Sequence, residues 1–537
     1  MFAIFLALIA LATLRAGYLF AFKGGSLKKL ASTQQIEDLS VPAKRGTVTD
    51  RHGISLAVSA DASTVFATPF LIRDPVATAR KIAPLLRMPP EDVASKLSDR
   101  QVGFVYLARK LRIGQGTKIE RLRLPGIGVT DDVRRDYPYG TLASQLLGTV
   151  GVDNVALSGL ELGMNGVIGG IDGKEHVVKD ARGDPIAFDR ARREKPGSDV
   201  ALALDASLQA HTERVLAEVG RTYSPKGATA IVMNPRNGEI LSMANWPPVN
   251  ANAIGESSPW ARVNRSVGMT YEPGSTFKVM TVAGALEDHL VKPQSAFTLP
   301  AQIQVADRVI KEAHSGGNGV LTVAQILARS SNVGAVRIGL KLGKRRFDRW
   351  VRKFGFGELT GVPLPGESAG IVPRVEQYSG SSLGNMPIGQ GLAVTPLQMA
   401  AAYSAVANGG VLIKPRLLRT HSDRSRGRRV ISRKTAHQLQ SMLEGVLGPG
   451  GTGAEAAIAG YDIAGKTGTS QKPENGTYSK TKFVASFVGF APARHARLLV
   501  AVIVDEPHGN YYGGEVAAPA FEKIASYALP HLGVAPR

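Results

Sequence analysis

Ser275 and Lys278 are the residues of this sequence whose types and spacing most directly suggest covalent chemistry. They lie in the segment YEPGSTFKVM, where the serine follows Pro273 and Gly274 and the lysine comes three residues later. If a helix begins here, positions i and i+3 share one face, with Cβ atoms about 5–6 Å apart. A lysine amine kept neutral by burial could then take the hydroxyl proton and make the serine a nucleophile. The same pair could also be a helix N-cap serine followed by a surface lysine.

A second motif, RSSNVG, supplies Ser330 and Asn332 at positions i and i+2. The amide of Asn332 offers a donor and an acceptor to a peptide backbone, and Ser330 could relay a proton between Lys278 and a leaving amine. Taken alone, a Ser-Ser-Asn segment is typical of a turn. It adds weight to the first pair only if folding brings the two segments together.

A third motif, GKTGTS, follows near the end of the chain. Lys466 with the hydroxyls of Thr467 and Thr469 would make a cationic, hydrogen-bonding seat for a terminal carboxylate, and Gly468 would let a substrate approach a strand closely. The spacing S-x-x-K also occurs at Ser26 and Ser479, where nothing else supports chemistry. Three motifs in this order are therefore the evidence for a catalytic site, since each alone is commonplace.

The elements that must position these motifs can be predicted from alternation and turn signals. Residues 44–196 alternate short strand-like runs with turns, and the charged, Pro- and Gly-containing stretch at 191–199 indicates a linker. Residues 229–245 and 483–507 each read as a β-hairpin, and helical stretches lie between them, among them one that ends at Gly409 and Gly410. Strands at both ends of a region with helices between them predict an α+β domain with an antiparallel sheet.

Composition limits the function classes. The 537 residues suggest two or three domains, and the absence of cysteine excludes disulfides, thiolate metal sites and a cysteine nucleophile. The formal net charge of +21 suggests an anionic partner, but the basic residues are dispersed except at 421–429 and aromatic residues make up only 6%. We therefore expect no nucleic-acid partner, and we expect neither a metal ion nor a cofactor. An anionic membrane surface or an anionic cell-wall precursor suits the charge better.

The first 22 residues are apolar except for Thr13, Arg15 and Tyr18, which predicts a membrane anchor at 1–22. A cleaved signal peptide is the alternative, although no small-residue cleavage site closes the apolar run before Lys23. Arg15 would lie deep in such a span, and the basic residues follow the span, which opposes the positive-inside rule if the rest of the chain is outside. We therefore hypothesise that translation starts upstream of Met1.

The three motifs and several further segments resemble those of class B penicillin-binding proteins, which are peptidoglycan D,D-transpeptidases. The resemblance covers nearly the whole chain: RGTVTDRHGISLA at 45–57, YPYGTLASQLLGTVGVD and GLE at 159–161 resemble the family's pedestal domain, and NRSVGMTYEPGSTFK, ARSSNVG, VTPLQMAAAYSAVANGG and AGKTGTS resemble its transpeptidase domain. Ser331 stands in the middle of the second motif, as in the division-type branch.

The resemblance implies an α+β transpeptidase domain at 197–537, with an antiparallel sheet and helices on both sides. It would follow an elongated, mostly β pedestal domain at 23–196 and one membrane helix. In this family Ser275 would be the nucleophile, Lys278 its base and Ser330 the proton relay, while the oxyanion hole would be the backbone N–H groups of Ser275 and Thr469. Asn332 and Lys466 would complete the catalytic set: Asn332 would bind the substrate backbone, and Lys466 with Thr467 and Thr469 its carboxylate, while Gly468 would let the substrate approach the strand.

The same resemblance implies substrates and partners. Stem peptides ending in D-Ala-D-Ala would be cross-linked during septal synthesis, and β-lactams would acylate Ser275. A separate glycosyltransferase and divisome proteins would be partners, with the protein in the inner membrane and its catalytic domain in the periplasm. His314, between the first two motifs, is expected to be a loop residue beside the cleft.

Two rival functions stay open at this point. A hydrolase, either a D,D-carboxypeptidase or a β-lactamase, is disfavoured because no glutamate between Asn332 and Lys466 has an asparagine three residues later, as a class A β-lactamase would require. A non-catalytic sensor or divisome scaffold is the other alternative. Replacing the serine distinguishes it from an enzyme.

Overall fold

A computed structural model describes residues 2–18, 36–179, 185–312, 319–419 and 427–537. His314 and most of the basic run at 421–429 lie outside these ranges. The chain begins with a 17-residue helix, α1 (Phe2–Tyr18), within the segment expected to be a membrane anchor. Searched across the described ranges, no helix has both the length and the hydropathy needed to cross a membrane.

In its described residues, 36–179 and 185–196, the pedestal has two sheets. Three antiparallel strands in the order β1-β6-β7 form one sheet, and β4-β3-β2-β8 with β5 paired to β3 form the other. The short strands β2 and β8 run parallel, so residues 200–201, just beyond the predicted boundary at 196, still pair with the pedestal. The strands are β1 (Ile36–Val41), β2 (Val48–Thr49), β3 (Ser55–Ala67), β4 (Val105–Arg112), β5 (Ile127–Asp136), β6 (Gly173–Lys179), β7 (Pro185–Arg192) and β8 (Val200–Ala201).

Helices also contribute to the pedestal, which is therefore mixed and not as dominated by strands as the sequence suggested. The longest begins after Asp74, whose side chain accepts a hydrogen bond from the N–H of Ala77 as an N-cap. Ile82, Val93 and Ile119 from three of these helices pack on β3 and β4 in a local core. The helices are α2 (Pro75–Leu86), α3 (Pro90–Ser98), α4 (Ile113–Glu120), α5 (Ser144–Leu147), α6 (Gly159–Gly163) and α7 (Asn165–Ile168).

A buried ion cluster joins distant parts of the pedestal. Glu161 accepts hydrogen bonds from Arg45 Nε at 2.8 Å and from Arg135 Nε at 2.6 Å, and each of the three side chains is only 2% exposed. Arg45 also donates to Asn165 Oδ1 at 2.8 Å. Because both arginines face one carboxylate, the cluster ties the start of the pedestal to its end.

The pedestal and the C-terminal domain are in direct contact. Asp50 Oδ2 accepts a hydrogen bond from the N–H of Ala206, the first residue of a helix in the C-terminal domain. Asp205 Oδ2 lies 3.1 Å from His52 Nε2 and 2.9 Å from His531 Nε2, so one carboxylate contacts residues of both domains. A continuous hydrophobic core also runs from β3 of the pedestal into the C-terminal domain.

The C-terminal domain is built on one five-stranded sheet in the order β10-β9-β19-β18-β17, in which every neighbouring pair is antiparallel. Both predicted hairpins are present, as β9–β10 and β18–β19, and β17 lies at the edge of the sheet. The remaining strands form three small two-stranded ribbons. The strands are β9 (Gly227–Met233), β10 (Ile240–Trp246), β11 (Ala296–Leu299), β12 (Gln302–Val305), β13 (Arg308–Lys311), β14 (Gly319–Thr322), β15 (Val411–Leu412), β16 (Arg428–Arg429), β17 (Ala464–Glu474), β18 (Thr477–Ala491) and β19 (Leu498–Asp505).

Helices cover both faces of this sheet, as predicted. Strand β9 shows why: Ala230 and Val232 point into the core beneath the first and last helices of the domain, whereas Ile231 and Met233 point into the core on the opposite face. The helices are α8 (Ala206–Tyr223), α9 (Arg265–Gly268), α10 (Lys278–Glu287), α11 (Val323–Ala328), α12 (Asn332–Lys353), α13 (Ser382–Asn385), α14 (Pro396–Ala407), α15 (Arg433–Glu444) and α16 (Gly513–His531).

Candidate active site

Ser275 lies in a short 3₁₀ turn, Gly274–Phe277, that leads directly into the buried helix α10. Gly274 has φ +54°, a left-handed conformation that favours glycine. A Cβ at Gly274 would lie 3.1 Å from Ser470 Cβ and 3.3 Å from the carbonyl oxygen of Thr469. The turn therefore packs tightly on edge strand β17, and it leaves Ser275 half-exposed beside the third motif.

Lys278, the first residue of α10, is 0% exposed. Its Nζ donates hydrogen bonds to the carbonyl oxygen of Ser330 at 2.5 Å, to Asn332 Oδ1 at 2.7 Å and to Ser330 Oγ at 3.2 Å. Burial lowers the pKa of the amine to about 7, against the opposing effect of the negative charge of Glu312. Near neutral pH a substantial fraction of Lys278 is therefore the free base.

The predicted first and second motifs thus meet at one amine. Among the described residues, however, the hydrogen bonds of Lys278 go to the second motif and not to the Ser275 hydroxyl, which the sequence placed within its reach. The reason is that three acceptors from Ser330 and Asn332 surround the amine. Hydrogen bonds of catalytic groups commonly tighten only when a substrate is bound, and the proton transfer from Ser275 to Lys278 stays a prediction.

The conformation of the second motif aims its side chains at Lys278. Ser330 has φ +59°, which is uncommon for a residue other than glycine, and it separates α11 from α12. Ser331 then caps α12 by accepting a hydrogen bond from the N–H of Gly334 at 2.9 Å. Asn332 Nδ2 donates to the carbonyl oxygen of Lys311, which turns Oδ1 of the same amide toward the lysine amine.

Glu312 is a residue of the site that the sequence did not indicate. Its carboxylate accepts hydrogen bonds from Ser331 Oγ at 2.6 Å and from the N–H of Asn332 at 2.7 Å. The only signal that could have found it is an acidic residue at the end of a predicted strand upstream of the second motif, which is weak. Its hydrogen bonds to Ser331 and Asn332 form because the end of β13 packs beside the start of α12, which no local sequence pattern indicates.

The third motif lies on edge strand β17. Lys466 is 0% exposed, and its Nζ donates to the carbonyl oxygen of Thr467 at 3.2 Å and to Thr467 Oγ1 at 3.3 Å. Burial, together with the positive charge of Lys278, lowers the pKa of Lys466 well below its usual range. The two buried amines therefore lie close enough for the charge of one to affect the pKa of the other. An incoming anion would reduce the repulsion between their positive charges.

Two further contacts hold β17 in place. Thr469 Oγ1 accepts a hydrogen bond from the N–H of Gly513 at 2.9 Å, at the start of α16. A Cβ at Gly468 would lie 2.4 Å from Ser486 Oγ and 3.0 Å from the carbonyl oxygen of Pro273. The close approach that requires glycine at 468 is thus made by the protein itself, so a contact of Gly468 with substrate stays a prediction.

Thr452 is a second residue that sequence reasoning missed. Thr452 stands in a glycine-rich loop beside the third motif. Its hydroxyl lies 2.6 Å from the hydroxyl of Thr467. Beside the nucleophile, a cleft of about 430 Å³ runs along β17 and is lined in part by Glu272, Ser470 and Lys472. Its lining includes Glu272, three residues before Ser275, and the part of β17 that follows the third motif, from Ser470 to Pro473.

Comparisons with known proteins identify the family of this chain. Residues 228–526 match the penicillin binding protein transpeptidase domain, and residues 40–202 match the penicillin-binding protein dimerisation domain. The chain is 36% identical to stage V sporulation protein D of Bacillus subtilis, covering 97% of this chain and 84% of that protein. It is 32% identical to the peptidoglycan D,D-transpeptidase FtsI of Escherichia coli, covering 98% of this chain and 91% of that protein.

A solved structure also resembles the fold. Penicillin binding protein 3 of Mycobacterium tuberculosis, complexed with aztreonam, superposes with a TM-score of 0.72 at 29% sequence identity, covering 93% of this chain and 98% of that one. The similarity spans both domains, so the resemblance predicted from the motifs is confirmed. The chain belongs to the penicillin-binding proteins that carry a dimerisation domain followed by a transpeptidase domain.

Proposed function

We propose that this protein is a serine D,D-transpeptidase that cross-links the stem peptides of peptidoglycan through an acyl-enzyme on Ser275. The observation that carries the proposal is the amine of Lys278, fully buried one turn from Ser275 and surrounded by Ser330 and Asn332. A serine hydroxyl needs a base to become nucleophilic, and a desolvated lysine can supply one near neutral pH. The transpeptidase relatives support the same reaction class.

In the first half-reaction Ser275 Oγ attacks the carbonyl carbon of the penultimate D-alanine, and its proton passes to Lys278 Nζ. The negative charge that develops on the carbonyl oxygen is stabilised by the backbone N–H groups of Ser275 and Thr469, one such donor typically being worth about 10²–10³-fold in rate. The C–N bond then breaks. The leaving amine of the terminal D-alanine takes a proton through Ser330, and an ester to Ser275 remains.

In the second half-reaction an amine of a neighbouring stem attacks the ester carbonyl and loses a proton to the neutral amine of Lys278. Ser275 Oγ leaves and recovers its proton from Lys278, and a new amide bond joins the two stems. A β-lactam enters the same sequence, because its amide resembles the terminal dipeptide. Its leaving group stays attached after ring opening, so the second step is slow and the enzyme remains acylated.

The third motif selects substrates with a free C-terminus. Lys466, Thr467 and Thr469 would bind the terminal carboxylate at the edge of the sheet, where β17 also offers backbone groups to an extended peptide. Asn332 would bind the peptide backbone, and Gly468 would keep the strand close to the substrate. A buried amine whose pKa is lowered by burial and by Lys278 is suited to this role, since an arriving carboxylate favours its protonation.

We further propose a place and partners for the protein. The apolar segment at 1–22 would anchor it in the inner membrane, with the pedestal (23–196) and transpeptidase domain (197–537) in the periplasm, during septal synthesis. The apolar composition of that segment supports the membrane anchor, and the resemblance of the chain to a peptidoglycan D,D-transpeptidase and a sporulation protein supports a role in cell-wall synthesis. A separate glycosyltransferase and divisome proteins would supply the glycan strands and the timing.

The decisive experiment compares Ser275→Ala with Ser479→Ala in the full-length protein. Both serines have a lysine three residues later, but only Ser275 lies in the site. Incubation with a donor stem ending in D-Ala-D-Ala and an acceptor stem, read by mass spectrometry, should give cross-linked dimer with the wild type and Ser479→Ala but none with Ser275→Ala. Cross-linking by Ser275→Ala would refute the mechanism, and rapid repeated turnover of a β-lactam by the wild type would favour a hydrolase.

A further inference from the structure

Glu312 follows strand β13 directly and belongs to none of the three motifs. One carboxylate oxygen accepts a hydrogen bond from Ser331 Oγ at 2.6 Å, and the other accepts one from the N–H of Asn332 at 2.7 Å. The preceding residue, Lys311, accepts a hydrogen bond from Asn332 Nδ2 at 2.9 Å through its carbonyl oxygen. The end of β13 therefore forms hydrogen bonds with both side chains and the backbone of the second motif.

These bonds decide which atoms face Lys278. The Ser331 hydroxyl donates to Glu312 and accepts from the N–H of Gly334, so it holds the carboxylate and the first turn of α12 together. The amide of Asn332 has two chemically different ends. Because its nitrogen donates a hydrogen bond to the carbonyl oxygen of Lys311, its oxygen accepts the hydrogen bond from Lys278 Nζ, at 2.7 Å.

We infer that Glu312 is a positioning residue for acylation: its carboxylate clamps Ser331 and Asn332, and thereby holds the acceptors that orient the Lys278 amine toward the nucleophile. The inference rests on the proposed function, because it deepens the account of how Ser275 is activated. In the part of the chain that the structure describes, the hydrogen bonds of Glu312 go to Ser331 and Asn332. It acts through the second motif.

The charge of Glu312 adds a second effect that can be measured separately. Burial lowers the pKa of the Lys278 amine and the negative charge of Glu312 raises it, while the positive charge of Lys278 in turn lowers the pKa of the neighbouring Lys466. Removing the charge of Glu312 should lower the pKa of Lys278 further, so the acid limb of the acylation rate should move to lower pH. A residue that only stabilised the fold would reduce the active fraction without moving this limb.

The test compares Glu312→Gln, Glu312→Asp and the control Glu376→Gln, in which an exposed glutamate distant in sequence from the three motifs is changed. The measured quantity is the second-order rate constant for acylation of Ser275 by a fluorescent penicillin, from about pH 5 to 9. Glu312→Gln should lower the plateau by about 10- to 100-fold, since a charged acceptor is lost, and should move the midpoint down by about one pH unit.

Glu312→Asp keeps the charge on a shorter side chain, so its plateau should fall while its midpoint stays near that of the wild type. Glu376→Gln should match the wild type in both. If Glu312→Gln keeps both plateau and midpoint, the inference is overturned. If Glu312→Gln does not fold, Glu312→Asp decides: a fall in rate no larger than its loss of folded protein would also overturn it. A wild type that is not acylated at all would instead refute the proposed function, and this inference with it.

Discussion

The pedestal and the active site both bury cationic side chains, but they differ in how the buried positive charge is balanced. In the pedestal, Arg45 and Arg135 each contact the carboxylate of Glu161 at 2.6–2.8 Å. In the active site, Lys278 and Lys466 are at least as deeply buried, yet within the part of the chain that the structure describes neither forms an ion pair. Both arrangements remove cations from water, but only the first supplies a counter-charge in contact.

The consequence is a difference in chemical state. Desolvation of a cation without a contacting anion favours its neutral form, and the pKa of Lys278 falls to about 7. An arginine is effectively never deprotonated in a protein, so burial of Arg45 demands a partner. Paired burial therefore contributes to structure, whereas burial against neutral acceptors such as Asn332 creates a base.

Replacing the base should have the largest effect. Lys278→Arg keeps a positive charge on a somewhat larger side chain that cannot become neutral, so acylation by penicillin should fall by about 10³–10⁴-fold in the folded fraction, the upper range for losing a general base. The rate is measured by the appearance of labelled Ser275, and thermal unfolding confirms that the variant folds. An acylation rate near that of the wild type would show that the amine does not act as the base.

Breaking the paired cluster should affect stability and not chemistry. Glu161→Ala leaves two buried arginines without their carboxylate, which should destabilise the protein by about 3–5 kcal/mol. Denaturant unfolding measures this change. At a temperature where the variant remains folded, its acylation rate should equal that of the wild type. A specific loss of acylation at full stability would contradict the division between structural and chemical burial.

The smallest expected effect concerns proton uptake by the third motif. The pKa of Lys466 is depressed in the free enzyme, and a bound carboxylate should raise it, so binding should take up a proton and weaken as pH rises. Calorimetry in buffers of different ionisation enthalpy detects this, with Ser275→Ala to prevent reaction. A stem peptide ending in an amide is the control and should show no uptake. Equal uptake by both peptides would mean that Lys466 does not meet the carboxylate.

Site residues can be predicted from the sequence where their roles depend on residues that are close together in the chain. Ser275 and Lys278 share a turn, and the pattern around Lys466 predicts a strand that precedes a hairpin, so these positions could be assigned before any fold was known. Glu312 could not, because its hydrogen bonds to Ser331 and Asn332 arise only when a strand end packs against the start of another helix.

The pedestal shows the same limit on a larger scale. Its strands were predicted from alternation, but the six helices α2–α7 were missed, even though Asp74 and Pro75 form a recognisable helix start. The contact between Arg45 and Glu161 joins residues 116 positions apart, and no local pattern indicates which buried charges will pair. Local patterns thus predict elements, whereas long-range packing decides partners.

The pH dependence of wild-type acylation tests the central claim most directly, namely that burial makes Lys278 a base at neutral pH. The second-order rate constant for acylation of Ser275 by penicillin should rise with pH through a midpoint near the pKa of Lys278, about 7, and then level off. The base must be neutral, so activity is lost below that pKa. A rate that does not change across this range, or that rises only near the ordinary lysine pKa of about 10.4, would contradict the account.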